Sequence, residues 1–541
     1  MGAERTDIWV VVVYSVFIGL LSLVVPVATQ SLVNTIAFGT LMQPLLVLSL
    51  LVLLALMFSA VLKTLRSHVV EVIQRRIFVR VASDSLQRLI RVKINAYDDG
   101  HGPELVNRFF DVVTLQKGGA TLLIEGFELL MTTLVGMLLL TIYHPLLMGF
   151  AFVLFVMVII ILFPLGIGAV RTAIDESKSK YALAAWLQEI ARSPATFKSS
   201  QGTQFALDRG NQLVVDYIEN RKSHWRVLLR QIMGALTMQA IGAAAVLGCG
   251  GWLVIERQLT LGQLVAAELV VAATLNGFSK FGKQLETFYD LLAAVDKLGY
   301  LTDLPLEHSG TEHVNAVGCA QIELRKISFH YGSRKPILED VSMVIPAKSR
   351  VGIWGGTSSG KSTLLDIVYG LREPNSGTLL FDGHDYRNLR LYDLRSQASM
   401  IRTPEIFHGT IEDNIRLGNA SLTSAELRTI LQQVGLLQIV ENLPEGLQTR
   451  LTTGGQPLTT GQSLRLMLAR AIALRPRVLI LDEILDLFED TPERDQLLDE
   501  LADSRNEWTL IVASRSPNVV NKLDTVYELK DGKISVRREG L

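Results

Sequence analysis

Nine consecutive residues in the last third of the chain have the types and spacing of a phosphate-binding loop. They follow the β-like run 349–354 and precede an apolar helical run: Gly355, Gly356, Thr357, Ser358, Ser359, Gly360, Lys361, Ser362 and Thr363. The pattern G-x-x-x-x-G-K-S between a strand and a helix is specific for nucleotide-binding P-loops. Its glycines and small residues let backbone N–H groups approach phosphates at the positive end of a helix. We predict that Lys361 contacts the β- and γ-phosphates and that Ser362 coordinates Mg²⁺.

Two carboxylates end a second apolar run further along the chain. Asp482 and Glu483 follow the residues 478–481, which are all Val, Leu or Ile. Such a run fits a parallel strand that is covered on both faces. Because α/β sheets present catalytic groups at the carboxyl ends of their strands, we expect both side chains to reach the P-loop. Asp482 would then hold Mg²⁺, directly or through water, and Glu483 would act as the general base for an attacking water.

The composition indicates what must position these groups. The chain has 541 residues, of which 49% are hydrophobic and 19% charged, with a formal net charge of −1. This excess of apolar residues excludes an ordinary soluble, disordered or fibrous protein. The balanced charge gives no support for a nucleic-acid partner. Two cysteines, Cys249 and Cys319, exclude a disulfide framework.

Three long runs are nearly free of charge. Residues 8–62 and 129–170 contain no charged side chain, and residues 231–279 contain three. Each run is far too long for one crossing of a ~30 Å hydrocarbon core at about 1.5 Å per residue, so each should fold back as a hairpin in a lipid bilayer. The predicted membrane helices are approximately 8–34, 43–65, 122–143, 145–170, 231–255 and 259–281.

Basic residues indicate the orientation. The segments 63–117 and 171–230 between the apolar runs carry ten Lys or Arg residues each. Both segments should therefore be cytoplasmic, and both chain termini should lie on the cytoplasmic side of a cell (inner) membrane. Their helical spacing predicts membrane helices that continue into the cytoplasm, with short crossing tips near 94–103 and 200–208. The first apolar run lacks a cleavage site and is expected to be a retained helix.

These patterns predict two domains and a linker. Residues 1–303 form a six-helix transmembrane domain with long cytoplasmic helix extensions. Residues 304–319 have no apolar periodicity and are predicted to be a linker. Residues 320–541 suffice for one globular domain, whose motifs predict an α/β P-loop nucleotide-binding fold.

In this arrangement the chain resembles an ATP-binding cassette (ABC) exporter of the half-transporter kind. The resemblance covers nearly the full length and includes the segments 329–331, 407–415 and 458–462. It implies that ATP lies between the P-loop of one subunit and the signature sequence of the other. Tyr331 would stack on adenine, and the signature would be Thr459, Thr460, Gly461 and Gln462. A more diffuse similarity points to bacterial type I protein and peptide exporters.

Several positions depart from the family pattern. Arg402 stands where the Q-loop glutamine is expected, and Ser514 replaces the switch histidine. Thr459 and Thr460 replace the signature serine and its first glycine, and Glu489 takes the D-loop aspartate position. Thr460 adds a branched side chain where a phosphate must approach, and Ser514 is shorter than an imidazole and cannot carry its charge. Arg402 would place a permanent cation near the metal and the γ-phosphate.

The resemblance implies ATP-driven export by a dimer, with ATP and Mg²⁺ as cofactors, and the departures imply slow hydrolysis. The alternative is an ATP-gated or regulatory subunit of a heterodimer with little turnover of its own. A homodimer is favoured because the chain keeps Tyr331, Lys361, Asp482 and Glu483. A periplasmic adaptor is a further partner that the resemblance allows.

Overall fold

The computed structural model describes residues 5–38, 42–98, 106–279, 281–314, 317–332, 335–488 and 492–538. The chain divides into two compact units. One consists of Met1–Arg91 with Asp99–Leu304, and the other of Val92–Asp98 with Pro305–Leu541. The short segment Val92–Asp98 therefore packs with the C-terminal unit although it lies early in the sequence.

The first unit is helical. Its α-helices are Arg5–Leu21, Val24–Phe38, Met42–Arg91, Asp111–Thr121, Phe127–Tyr143, Pro145–Leu162, Ala169–Arg192, Pro194–Phe197, Ser200–Ile255, Leu261–Ser279 and Phe281–Thr302. By length and composition, five helical segments within the described residues could cross a membrane: Arg5–Ile36, Gln43–Arg91, Arg108–Tyr143, Pro145–Leu162 and Ser200–Ile255. Leu261–Thr274 is a shorter apolar helix in the region of the sixth predicted span.

Two of these helices are much longer than a membrane crossing. Met42–Arg91 has 50 residues and Ser200–Ile255 has 56, whereas about 20 residues cross a bilayer. Their charged halves therefore extend beyond the apolar halves. Where the sequence predicts one helix over 145–170, the helix instead ends at Leu162. Pro164 and Gly168 lie in the turns that separate this helix from the helix Ala169–Arg192. The φ of Gly168 is 88°, which glycine adopts readily.

The second predicted crossing tip is wrong in position. Residues 200–208 are the first turns of the helix Ser200–Ile255, and the change of direction lies in the preceding residues, which include the short helix Pro194–Phe197. The side chain of Ser199 caps the long helix by accepting a hydrogen bond from the N–H of Gly202 at 3.0 Å. Of the first predicted tip, Ile94–Tyr97 is a 3₁₀ helix, and residues 99–103 lie outside the described residues, as does Glu489.

The C-terminal unit contains two main sheets. Its strands are β1 (Ile322–Phe329), β2 (Leu338–Ile345), β3 (Arg350–Trp354), β4 (Ser376–Phe381), β5 (His384–Asp385), β6 (Ala398–Ile401), β7 (Gly409–Thr410), β8 (Arg450–Leu451), β9 (Val478–Asp482), β10 (Thr509–Ser514), β11 (Thr525–Lys530) and β12 (Lys533–Arg538). The larger sheet has the order β12-β11-β3-β10-β9-β6, and the smaller antiparallel sheet has the order β2-β1-β4-β5.

Helices surround these sheets. They are Lys361–Val368, Leu391–Gln397, Ile411–Arg416, Ser424–Gln433, Leu437–Glu441, Thr460–Ala473, Pro492–Leu501 and Pro517–Val520. Strands β9 and β10 are buried along their whole length, as their continuous apolar sequence predicts.

Parallel pairing brings the predicted site residues to one edge of the larger sheet. β10 pairs in parallel with β3 and β9, and β6 pairs in parallel with β9. Asp482 lies opposite Ala513, and Ser514 lies opposite Trp354. The ends of β3, β6, β9 and β10 therefore carry the P-loop, Arg402, Asp482 and Ser514 to the same place.

Candidate functional site

The P-loop connects β3 to the helix Lys361–Val368 in the predicted strand–loop–helix order. Ser358 and Gly360 have φ values of 64° and 100°, which turn the loop around the helix N-terminus. The ammonium group of Lys361 is buried and donates hydrogen bonds to the carbonyl oxygens of Gly355 at 2.7 Å and Gly356 at 2.8 Å. The loop thus holds its cation at the place where phosphate oxygens would enter.

The two predicted carboxylates have different surroundings at the end of β9. Asp482 is 1% exposed, and its Oδ1 accepts a hydrogen bond from Ser362 Oγ at 3.2 Å. Glu483 has a φ of 54°, uncommon for a residue other than glycine. Its carboxylate lies 3.1 Å from Lys361 Nζ and 3.4 Å from Arg515 Nε. Glu483 therefore lies beside the P-loop cation, and its role as the base stays a prediction.

Arg402 follows directly after β6 and lies beside Asp482. Its Nε donates to Asp482 Oδ2, and its Nη2 donates to Asp366 Oδ1 at 2.8 Å and to the carbonyl oxygen of Ser362 at 3.0 Å. Burial alone would lower the pKa of Arg402, but the carboxylates of Asp366 and Asp482 outweigh that effect and raise the pKa above its ordinary value. The guanidinium is a permanent cation within the site.

This arrangement decides whether the predicted magnesium ligands fit a metal ion. Mg²⁺ needs oxygen ligands in near-octahedral geometry. Both oxygens of the Asp482 carboxylate already accept hydrogen bonds, one from Ser362 and one from Arg402. A guanidinium in contact with that carboxylate repels a divalent cation. Ser362 and Asp482 in this arrangement do not fit Mg²⁺, and we assign no step to the metal.

Tyr331 lies near the P-loop helix but has other contacts. Its hydroxyl is 3.3 Å from Thr363 Oγ1, and its ring is perpendicular to that of Phe329, with the ring centres 5.0 Å apart. The guanidinium carbon of Arg372 lies 4.7 Å from the centre of the Tyr331 ring. The tyrosine therefore lies beside the P-loop helix with Arg372 against its ring. Its contact with adenine stays a prediction.

The signature residues form the beginning of the helix Thr460–Ala473. Thr459 is the N-cap, and its hydroxyl accepts a hydrogen bond from the N–H of Gln462 at 3.3 Å. The side chain of Gln462 in turn accepts from the N–H of Thr459 at 2.9 Å, which completes a capping box. Nothing lies within 4 Å of the position that a Cβ on Gly461 would take. Within the described residues, no hydrogen bond or ion pair joins these residues to the P-loop.

Ser514 is fully buried at the end of β10. Its hydroxyl donates to Asp486 and accepts from the N–H of Ser516 at 3.0 Å. The N–H of Arg515 donates to the other oxygen of Asp486 at 2.8 Å. The Ser514 hydroxyl is therefore committed to holding this turn.

Sequence reasoning missed two residues that complete the Arg402 environment. Asp366 is 4% exposed and shares its carboxylate between Arg402 and Arg372. Arg372 also contacts Asn95 and Asp98, each at 2.8 Å. One signal could have identified Asp366, because it lies four residues after Ser362 and so shares a helix face with it.

Family comparisons follow the same division of the chain. The model described as "ABC transporter transmembrane region" matches residues 8–277, and the model described as "ABC transporter" matches residues 338–486. The chain belongs to the ABC transporter family. It is a half-transporter of the exporter kind, with a helical membrane domain and a nucleotide-binding domain in one chain, which confirms the predicted family and fold class.

Individual relatives extend over most of this ABC half-transporter. An "ATP-dependent lipid A-core flippase" of Methylococcus capsulatus is 26% identical over 483 residues, which are 85% of this chain and 77% of the relative. A "Lactococcin transport/processing ATP-binding protein LcnC-like" of Lactococcus lactis is 24% identical over 531 residues, which are 97% of this chain and 73% of the relative. The solved "Structure of a bacterial Atm1-family ABC exporter with ATP bound" superposes with a TM-score of 0.85 at 19% identity, over 99% of this chain and 95% of that one, and shows the shared fold.

These similarities confirm the predicted activity at the level of the family. The half-transporter binds ATP and couples ATP hydrolysis to export across a membrane, and dimers are typical of the family. The fused multi-pass domain confirms the prediction of a membrane protein.

Proposed function

We propose that the chain acts in a dimer in which ATP lies between the P-loop of one subunit and the signature residues 459–462 of the other, with Glu483 as the general base. The observation that carries this proposal is the position of Glu483, 3.1 Å from the P-loop cation Lys361. A base at the end of a buried strand, beside the phosphate site, can polarise a water that attacks the γ-phosphate. Arg515, whose Nε lies 3.4 Å from the carboxylate, helps to orient it.

The remaining predicted site residues surround the nucleotide in this proposal. Backbone N–H groups of residues 355–363 bind the phosphates, and Lys361 exchanges its contacts with the Gly355 and Gly356 carbonyl oxygens for phosphate oxygens. Tyr331 contacts the adenine. The open space around Gly461 at an exposed helix start is compatible with a phosphate from the partner subunit.

Slow hydrolysis is supported by the state of two replaced residues. Ser514 directs its hydroxyl to Asp486, so it does not replace the hydrogen-bond donor that a histidine would aim at the γ-phosphate. Thr460 adds a Cβ at the first position of the signature helix. Both changes weaken contacts that should strengthen in the transition state, and they therefore reduce turnover more than binding.

A second candidate function is an ATP-gated or regulatory subunit of a heterodimer. The observation that favours it is the ion pair between Arg402 and Asp482, which engages the carboxylate expected to hold the metal. In such a complex the partner half-transporter would supply the residues for turnover, and this chain would respond to ATP binding.

We place the protein in the cell (inner) membrane, with both termini and the cassette in the cytoplasm. The ten basic residues in each of the segments 63–117 and 171–230 support this orientation. A homodimer is the preferred assembly, and a periplasmic adaptor is a further proposed partner. Co-purification from the native membrane would identify the cargo, the second subunit and any adaptor together.

ATP turnover by the full chain in lipid nanodiscs separates the two functions. Turnover that disappears in Glu483→Gln supports an exporter subunit that hydrolyses ATP itself. Retained ATP binding without turnover, together with turnover on addition of a second half-transporter, supports the regulatory subunit. Cargo export by proteoliposomes that continues at the same rate without ATP would contradict both.

A further inference from the structure

The phosphate-binding end of the cassette contains a cation that belongs to the chain itself. Arg402 bridges Asp482, at the end of β9, and Asp366, on the helix that follows the P-loop. It also donates to the carbonyl oxygen of Ser362, whose hydroxyl donates to Asp482. The guanidinium is thus bound by the two residues that the sequence assigns to a magnesium ion.

Asp366 fixes this cation in place. Its side chain is 6% exposed, with Oδ1 accepting from Arg402 Nη2 at 2.8 Å and Oδ2 from Arg372 Nε at 3.1 Å. Arg372 is in turn held by Asp98 and Asn95 in the segment Val92–Asp98 of the same unit. A buried carboxylate with two guanidinium partners cannot lose one cheaply. Asp366 therefore holds Arg402 at Nη2, while Asp482 holds it at Nε.

Arg402 still has capacity for a ligand. Nε and Nη2 carry its hydrogen bonds, whereas Nη1 has no partner within the described residues. The side chain is 35% exposed. A guanidinium can therefore hold Asp482 with one edge and present donors to a phosphate with the other, a geometry that suits arginine better than lysine.

We propose that Arg402 takes the place of the divalent cation, so that this cassette binds ATP without Mg²⁺. The inference rests on the proposed function, in which ATP binds at this P-loop. The positive charge that normally arrives with the nucleotide is here supplied by the protein, next to Ser362 and Lys361. Asp366 balances that charge in the absence of nucleotide, which explains an acid at this position.

The test measures equilibrium ATP binding by calorimetry on the full chain in nanodiscs. The parent protein in this test carries Glu483→Gln, which keeps ATP intact. Titrations are made with excess EDTA and with excess Mg²⁺. We expect the parent to bind ATP at least as tightly in EDTA as in Mg²⁺, because Mg²⁺ complexes free ATP and competes with Arg402 for its phosphates. Arg402→Gln should weaken binding in EDTA by about tenfold to a hundredfold, the usual range for a charge-assisted contact, and Mg²⁺ should recover it.

Two variants and a second probe keep the test decisive. Arg402→Lys retains a cation and should bind ATP in EDTA better than Arg402→Gln. Arg505→Gln removes an exposed guanidinium paired with Asp503 and should match the parent protein. Mn²⁺ detected by electron paramagnetic resonance should bind together with ATP to Arg402→Gln and not to the parent.

Three results would overturn the inference while leaving the nucleotide site intact. The first is a parent protein that binds ATP about tenfold or more tightly in Mg²⁺ than in EDTA. The second is ATP-dependent binding of Mn²⁺ to the parent. The third is an Arg402→Gln protein that binds ATP in EDTA as tightly as the parent does. Absence of ATP binding by the parent in both buffers would instead overturn the proposed nucleotide site itself.

Discussion

Lys361 is the residue on which ATP affinity should depend most. Its ammonium group is 2.7 and 2.8 Å from two P-loop carbonyl oxygens and is shielded from solvent. We expect Lys361→Ala to weaken ATP binding by at least about a hundredfold, since it removes charge-assisted contacts to two phosphates. Calorimetry on the full chain measures this change, with Lys348→Ala, an exposed lysine of the same unit, as the control. Parent-like affinity in the Lys361 variant would contradict the P-loop assignment.

Glu483 should affect turnover rather than binding. Glu483→Gln keeps the shape of the side chain and leaves Asp482 in place, but it removes the base. We expect ATP affinity to stay within about threefold while hydrolysis slows by roughly 10²–10⁴-fold, the usual contribution of a general base. Single-turnover assays with radiolabelled ATP separate the two effects.

The control for this measurement is Glu507→Gln, which changes an exposed carboxylate of the cassette. It should leave both affinity and rate unchanged. Normal turnover in Glu483→Gln would assign the base to another group, such as Asp486, which accepts a hydrogen bond from the N–H of Arg515.

At the scale of helices, a buried lysine outside the predicted membrane spans should make the folding stability depend on pH. Lys297, on the helix Phe281–Thr302, donates to the carbonyl oxygen of Ser177 at 2.9 Å and lies 3.3 Å from the centre of the Tyr181 ring. Burial lowers the pKa of Lys297 from 10.5 to about 7. The charged groups around it are Asp111, Lys180, Arg108 and Asp296.

The sign of this effect follows from proton binding. Between pH 7 and 10.5 the unfolded chain holds the Lys297 proton and the folded chain does not, so folding stability rises with pH across that window. We expect Lys297→Met to flatten that rise and to stabilise the protein at pH 7. Thermal unfolding in nanodiscs at several pH values measures it, with the exposed Lys198 changed to Met as the control. An unchanged slope in Lys297→Met would contradict the lowered pKa.

Local sequence patterns predict the helices and strands better than they predict contacts between residues distant in sequence. The P-loop, β9 and the break between the predicted helices 122–143 and 145–170 are each encoded by adjacent residues, and the structure places them where those residues predict. The break at Pro164 was not predicted, because the apolar run continues through it and conceals the turn. Charge and periodicity misplace the second crossing tip, because the residues that start the helices there, Pro194 and Ser199, carry a local signal that neither pattern contains.

At the scale of the whole molecule, the candidate site depended on pairings that no local pattern contains. Arg402 was recognised as a departure from the family, but its partners lie 36 and 80 residues away in sequence. Only the parallel pairing of β6 with β9 brings Arg402 beside Asp482, and only the helix after the P-loop supplies Asp366. The chemistry of each residue was readable from the sequence, whereas the charge network was not.

The assembled dimer provides the last prediction, because the departing residues should limit turnover jointly. We expect the combined changes Arg402→Gln, Thr460→Gly and Ser514→His to raise ATP turnover more than any single change. In the proposed dimer these groups converge on one γ-phosphate from two subunits, so their effects should not be additive. One transition-state donor contributes about 2.7–4 kcal/mol, so the full repair should gain on the order of a hundredfold.

Turnover of the seven single, double and triple variants in nanodiscs with Mg²⁺ measures this coupling. Asp366 must be considered in the design, because Arg402→Gln leaves its carboxylate with Arg372 as the remaining partner. Adding Asp366→Asn to the triple variant should therefore change the rate little if Asp366 serves to balance Arg402. A triple variant no faster than the best single variant would mean that the site has been rebuilt around Arg402 and Ser514. Turnover that appears only after mixing with a second half-transporter would replace the homodimer by a heterodimer, in which this chain's P-loop faces the partner's signature.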